Sequence, residues 1–149
     1  MAKKIIITGG LGYIGTELCK IYSGFGWHHK ILVIDNRFVS ERVNQIRKWN
    51  MEFIHGDILD KNLVKKHFKD ADIVHHLAGI TDVPRVKSES VEVKENQIKL
   101  VAEEGTQNIL DIISDNCKII IPSTHIVYEG INEVKKNKIS CRGRYSKYN

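Results

Sequence analysis

The run Thr8-Gly9-Gly10-Leu11-Gly12-Tyr13-Ile14-Gly15, set directly behind the apolar stretch Ile5-Ile6-Ile7, constrains this chain more than any other feature. A strand that turns within a few residues into a helix, here expected over Tyr13 to Tyr22, needs glycine wherever a side chain would block the turn. The free N–H groups and positive dipole end of such a helix form a cradle for a diphosphate. On this reading Gly9 permits the tight turn, Gly12 lets a diphosphate touch backbone beside Tyr13 and Ile14, and Gly15 lets the helix pack close to the strand. Twenty positions beyond Gly15, the apolar run Ile31 to Ile34 ends in Asp35, where an acceptor for an adenosine-ribose diol belongs.

Further apolar runs recur at 53–54, 73–77 and 119–121, with intervals that suit helices or loops. Their residues are apolar on consecutive positions rather than alternating, as expected of parallel strands covered on both faces. Right-handed crossovers then wind about five strands into an α/β, Rossmann-type doubly wound sheet in the order 3-2-1-4-5. Segment 60–69 begins with Asp60 as an N-cap and places Leu63, Val64, His67 and Phe68 at helical spacing. Segment 95–114 does the same with Ile98, Val101, Ala102, Ile109, Ile112 and Ile113, interrupted by Gly105. A chain of 149 residues supports one domain, 1–149, able to bury roughly 70% of its unfolded surface.

The net charge of +5 resides in the tail, where Lys135, Lys136, Lys138, Arg142, Arg144 and Lys147 face Glu133 alone. The polar stretch 130–149 reads as a solvated basic loop, so no nucleic-acid partner is expected. No apolar run approaches the roughly 20 residues that span a bilayer, and no membrane association is expected. Three cysteines without paired spacing and no leader of signal-peptide length place the chain in the cytoplasm.

Chemistry is expected at the carboxyl ends of the strands. Asp35 could accept from ribose hydroxyls or simply cap a turn, and its charge would repel a ribose phosphate, which favours NAD over NADP. Arg37, two residues on, works against that preference by offering a guanidinium to a phosphate. Asp57 could accept from an adenine amino group with Ile58 as an apolar wall, although Gly56-Asp57 also suits a turn. His76-Leu77-Ala78-Gly79 ends the fourth strand in small residues that let a ligand approach backbone. His75 and His76 are successive strand residues facing opposite sides, so no metal site is expected there or at His28-His29. Ser123 and Thr124 follow the fifth strand, with hydroxyls placed either to polarise a substrate oxygen or to cap the next turn.

In this order the landmarks resemble the extended short-chain dehydrogenase/reductase family, the NAD-dependent nucleotide-sugar epimerases and dehydratases, over nearly the whole chain. Thr8-Gly9-x-x-Gly12-x-x-Gly15 is similar to the family's cofactor loop, Asp35-Asn36 to its ribose-binding strand end, Asp57-Ile58 to its adenine contact, and His76-Leu77-Ala78-Gly79 to the segment lining the cofactor. Ser123-Thr124-x-x-Val127-Tyr128 resembles the segment carrying the catalytic hydroxyl, which falls on Thr124. The resemblance implies hydride transfer through NAD on a nucleotide sugar, a tyrosine that moves a proton, and a homodimer formed where segment 95–114 and the edge beside the fifth strand remain uncovered. The family's Tyr-x-x-x-Lys pair is incomplete: Tyr145 precedes Asn149 by four residues, and Tyr148 would need a lysine beyond the chain. Tyr145-Ser146-Lys147 looks more like local family sequence, whereas Tyr148 lies nearer the usual distance. The Asn-x-x-Gly-Thr element keeps Gly105-Thr106 but has Ala102 at the asparagine position, with Asn96 further upstream. Relative to the family the fold is expected to be incomplete, lacking the later strands and C-terminal substrate lobe. The alternative reading is a non-catalytic dinucleotide-binding or sensor module.

Overall fold

A computed structural model describes residues 2–24, 28–80 and 91–123, with backbone only at 91–94. Five parallel strands, β1 (Lys4–Thr8), β2 (Lys30–Asp35), β3 (Glu52–His55), β4 (Ile73–His76) and β5 (Lys118–Ile120), lie in the order β3-β2-β1-β4-β5. The expected 3-2-1-4-5 Rossmann-type sheet is therefore present. β1 is central because its residues are apolar on both faces. Ile5 and Ile7 pair in register with Ile31 and Val33 of β2 and face one layer, while Ile6, beside Leu32 and Val74, faces the other.

Helices α1 (Tyr13–Gly24) and α2 (Ser40–Lys48) cover the first face through Cys19, Val43 and Ile46. Helix α3 (Lys61–Phe68) covers the second with Val64 and Phe68, joined by Ile109 of α5 (Thr106–Leu110). Full burial of side chains such as Ile6, Phe68 and Ile109 contributes about 1.5–3 kcal/mol each. Local signals set the ends of these helices. The Asp60 carboxylate accepts from the N–H groups of Asn62 and Leu63 at 2.9 and 3.2 Å, the N-cap expected from sequence. Beyond α2, Asn50 turns left-handed at φ 59°, with Met51 N–H donating to Ile46 C=O and Asn50 N–H to Arg47 C=O. Those two bonds form a Schellman stop.

The segment expected as one helix over 95–114 departs from that reading. It comprises α4 (Val91–Leu100), a π-helical turn at Val101–Gly105, and α5. The wider turn resets the helical phase, leaving Ala102 exposed although the simple period places it on the apolar stripe. The turn ends at a tertiary contact: Gly105 is buried against Ile58, and a Cβ there would lie 2.5 Å from the Ile58 Cδ1.

Two glycines give opposite expectations for added side chains. A Cβ on Gly15 would lie 2.5 Å from the Gly9 carbonyl oxygen and 2.6 Å from the Gly10 Cα, both backbone atoms that cannot step aside, whereas one on Gly24 would meet nothing within 4 Å. Gly15→Ala should cost about 1–3 kcal/mol by overpacking, and Gly24→Ala should gain about 0.5–1 kcal/mol from helix propensity. Urea denaturation giving equal midpoints for the two variants would overturn this account of α1 packing.

Strand β4 buries two imidazoles on opposite faces, His75 and His76, and burial pushes both pKa values down, with the Lys118 charge adding to the effect at His75. The unfolded chain, with its histidines near pH 6.5, binds more protons than the folded one below that pH. Stability should be fully present above about pH 6.5 and fall as the pH drops below it. This window lies above that of Asp70, whose carboxyl Lys4 holds below the usual range. The urea midpoint should be lower at pH 5.5 than at pH 7.5, with a smaller difference in His75→Asn. An identical midpoint at both values would refute the linkage.

Candidate functional site

The carboxyl ends of the strands open into one cleft of about 760 Å³. Gly9, Gly12, Tyr13, Ile14 and Gly15 line it from the β1–α1 turn, Asp35, Asn36 and Arg37 from the end of β2, Gly56, Asp57 and Ile58 from the end of β3, and Leu77, Ala78, Gly79 and Ile80 from the end of β4. Segments that the sequence separates by tens of residues thus share one wall.

The glycines act by different physical means. Gly9 has φ 66°, and a Cβ there would lie 2.7 Å from Ala78 N, so left-handed backbone and close approach coincide at this position. Gly12 is less crowded, with only the Gly9 carbonyl oxygen 3.1 Å from a hypothetical Cβ. Its carbonyl accepts from Thr16 N–H, while the first N–H groups of α1 have no partner four residues back and face the loop side. A diphosphate suits these donors, and a Cβ would fill its approach.

Asp35 is buried, and its carboxylate already holds the loop: Oδ2 accepts from Leu11 N–H and Oδ1 from Arg37 N–H, both at 2.9 Å. The turn-capping role and the ribose-acceptor role are therefore compatible, because each carboxylate oxygen retains a second lone pair. Arg37 Nε lies 3.7 Å from Asp35 Oδ1. Asp57 is similarly engaged. Its Oδ1 accepts from Leu59 N–H at 2.9 Å and its Oδ2 from the Asn36 amide at 3.0 Å, tying the ends of β2 and β3 together. Ile58 supplies the apolar wall, and its carbonyl accepts from the buried Asn108 amide at 3.1 Å.

Arg42 was not evident in the sequence. It projects from α2 to donate to the Leu11 carbonyl and line the cleft, and no local signal marks it because the contact depends on α2 folding back over the loop. Val101 of the π turn and Pro122 complete the wall. Ser123 is exposed and outside the lining, whereas Thr124, Tyr145 and Tyr148 lie outside the described residues.

The paired histidines separate as strand alternation requires. His75 Nε2 lies 2.7 Å from the Tyr22 hydroxyl on the α1 face, where burial raises the tyrosine pKa. His76 turns to the other face between Thr8 and Thr106. Among the described residues no three His, Cys, Asp or Glu side chains gather as metal ligands would. Burial pushes the Cys19 thiol up to about 12, so it packs as an apolar group and not as a nucleophile. No helix among the described residues is long and apolar enough to cross a membrane.

Comparison with known proteins agrees with this geometry. The chain is 32% identical over 130 residues to a UDP-N-acetyl-alpha-D-glucosaminuronate decarboxylase of Bacillus cytotoxicus, covering 86% of this chain and 38% of that protein. It is 33% identical over 134 residues to a dTDP-D-glucose 4,6-dehydratase of Dictyostelium discoideum, covering 85% and 30%. A crystal structure of UDP-glucose 4-epimerase from Bifidobacterium longum, in complex with NAD+ and UDP, superposes with a TM-score of 0.67 at 26% identity, over 88% of this chain and 40% of that one. The chain thus spans about two fifths or less of the length of these relatives. Matched over residues 6–139 by the 3-beta hydroxysteroid dehydrogenase/isomerase family, the chain belongs to that family, among the extended short-chain dehydrogenases/reductases related to the nucleotide-sugar epimerases and dehydratases.

Proposed function

We propose that this chain seats NAD through its adenosine and diphosphate half and forms the cofactor-binding portion of a nucleotide-sugar epimerase, dehydratase or reductase. The observation that carries the reading is the convergence of the glycine loop, Asp35, Asp57-Ile58 and Leu77-Ala78-Gly79 on one cleft. Amides at the start of α1 bind the diphosphate, Asp35 orients the adenosine ribose, and Asp57 with Ile58 holds the adenine. When bound, nicotinamide supplies the hydride acceptor and donor. Thr124 aligns the reacting oxygen and Tyr145, or Tyr148 in its place, exchanges its proton. The Asp35 carboxylate at the end of β2 supports NAD over its 2′-phosphorylated form. The substrate class is a nucleotide sugar, as the names of the relatives suggest. Free thiols at Cys19 and Cys117 support a cytoplasmic, reducing setting.

Titration calorimetry should give heat with NAD and less with NADP, and NAD at one hundred times its dissociation constant should raise stability by about 2.7 kcal/mol. Gly12→Val should abolish binding while folding changes little, because the added side chain enters the diphosphate approach. Absence of heat at millimolar NAD sinks the cofactor assignment. Equal losses of binding and stability in Gly12→Val would make that glycine purely structural.

The exposed Ile120 and Ile121, in and directly after β5, support a homodimer. Light scattering at micromolar concentration should give twice the monomer mass. A monomer mass throughout that range would exclude the dimer.

A further inference from the structure

His76 of β4 is not among the residues lining the cleft, yet both of its ring nitrogens lie within hydrogen-bond distance of a threonine hydroxyl. The Thr8 hydroxyl oxygen accepts from Ala78 N–H at 3.1 Å and shares the Leu77 N–H with the Thr8 carbonyl oxygen, each 3.2 Å from the Leu77 nitrogen. With N–H donors already on its oxygen, the hydroxyl proton is best directed to His76 Nδ1, 2.8 Å away. With Nδ1 an acceptor, the neutral ring carries its proton on Nε2 and donates it to Thr106 Oγ1 at 2.9 Å. The two hydrogen bonds that link Thr8, His76 and Thr106 then run in one direction. Thr8 is wholly buried and His76 nearly so, which makes an unpaired member costly.

Each end of this chain is attached to something that shapes the cleft. At one end are the Leu77 and Ala78 amides, on the turn that lines the cleft and leaves no room for a Cβ on Gly9. At the other end Thr106 follows the π turn, whose Val101 lines the cleft and whose Gly105 packs on Ile58. None of Thr8, His76 or Thr106 is itself a lining residue.

We propose that Thr106, His76 and Thr8 form a positioning relay through which the π-helical turn fixes the Leu77-Ala78 wall of the cleft in its cofactor-binding shape. His76 is a positioning residue in this scheme, and Thr106 acts on the cleft only through it. The part that concerns the cofactor rests on the proposed NAD reading, whereas the mechanical coupling does not.

The test uses the full chain and three measurements on wild type, Thr106→Val and Thr106→Ser. Valine matches threonine in shape but removes the acceptor, and serine retains it. Nitrogen resonances of the His76 ring should show Nε2 protonated and Nδ1 unprotonated in wild type and Thr106→Ser. Amide exchange at Leu77 and Ala78, measured relative to Leu32 in β2, should be roughly five-fold faster in Thr106→Val and restored in Thr106→Ser. NAD affinity should fall roughly five-fold in Thr106→Val and recover in Thr106→Ser. A proton on Nδ1 in wild type, unchanged exchange in Thr106→Val, or unchanged affinity where wild type binds NAD would each overturn the relay. If wild type takes up no NAD while exchange responds as stated, the coupling stands and the cofactor reading falls.

Discussion

The contact on which this structure depends is the one between Gly9 and the Leu77-Ala78 turn. Two parallel strands, β1 and β4, end side by side, and their loops pass so closely that a single carbon on Gly9 would lie 2.7–2.8 Å from Ala78 N, Ala78 Cα and Leu77 C. The same residue sits at φ 66°, where any L side chain adds strain. Once these loops meet, the direction of α1 is set. Gly15 then has to accept the Gly9 carbonyl at close range, and Thr8 below the turn receives the Leu77 and Ala78 amides on its hydroxyl. Glycine at 9 and 15 and a hydroxyl at 8 are thus parts of one packing problem.

Acidic residues at the strand ends perform a second service. A carboxylate buried like Asp35 needs hydrogen-bond donors, and the backbone supplies them from the loop after β1 and from its own strand end. The bond to Leu11 N–H links β2 to the glycine loop, and Asn36 with Asp57 links β2 to β3. Removing either carboxylate would therefore loosen the cleft as well as remove a ligand acceptor, so affinity loss alone does not identify a direct contact. Glycine positions that project into open cleft, Gly12 above all, separate the two effects more cleanly.

Features legible in the sequence are those in which residue type answers a local backbone demand. Gly9, Gly15 and the Asp60 cap are of this kind, and consecutive apolar residues in the strands gave the parallel sheet class, while its order came from the right-handed crossover rule. The π turn was not legible. Gly105 marked an interruption, but the residue it packs on, Ile58, is some fifty positions away, and nothing nearby distinguishes a wide turn from a helix break. Arg42 reads as an ordinary surface residue until α2 is laid over the loop. His76 was legible only as the residue before a small-residue wall, because its partners Thr8 and Thr106 lie 68 and 30 positions away.

The position of the cleft follows from where the winding changes direction. From β1 the chain leaves through α1 and then α2, both packed on one face, and moves outward to β2 and β3. After β3 it crosses through α3 to the opposite face and returns to pair β4 with the free side of β1. The helices on either side of the β1–β4 junction, α1 and α5, consequently pack on opposite layers, and the crevice lies at the carboxyl ends of the strands between them. The polar path from Thr106 through His76 to Thr8 runs directly beneath that crevice and joins the second layer to the central strand. Leu77 and Ala78 pack at the margins of the two apolar layers, while Gly79 has no side chain to pack. Hydrogen bonds donated by the Leu77 and Ala78 N–H groups to the buried Thr8 hydroxyl add direction to that packing, which gives a physical reason for polar groups in this enclosed part of the sheet.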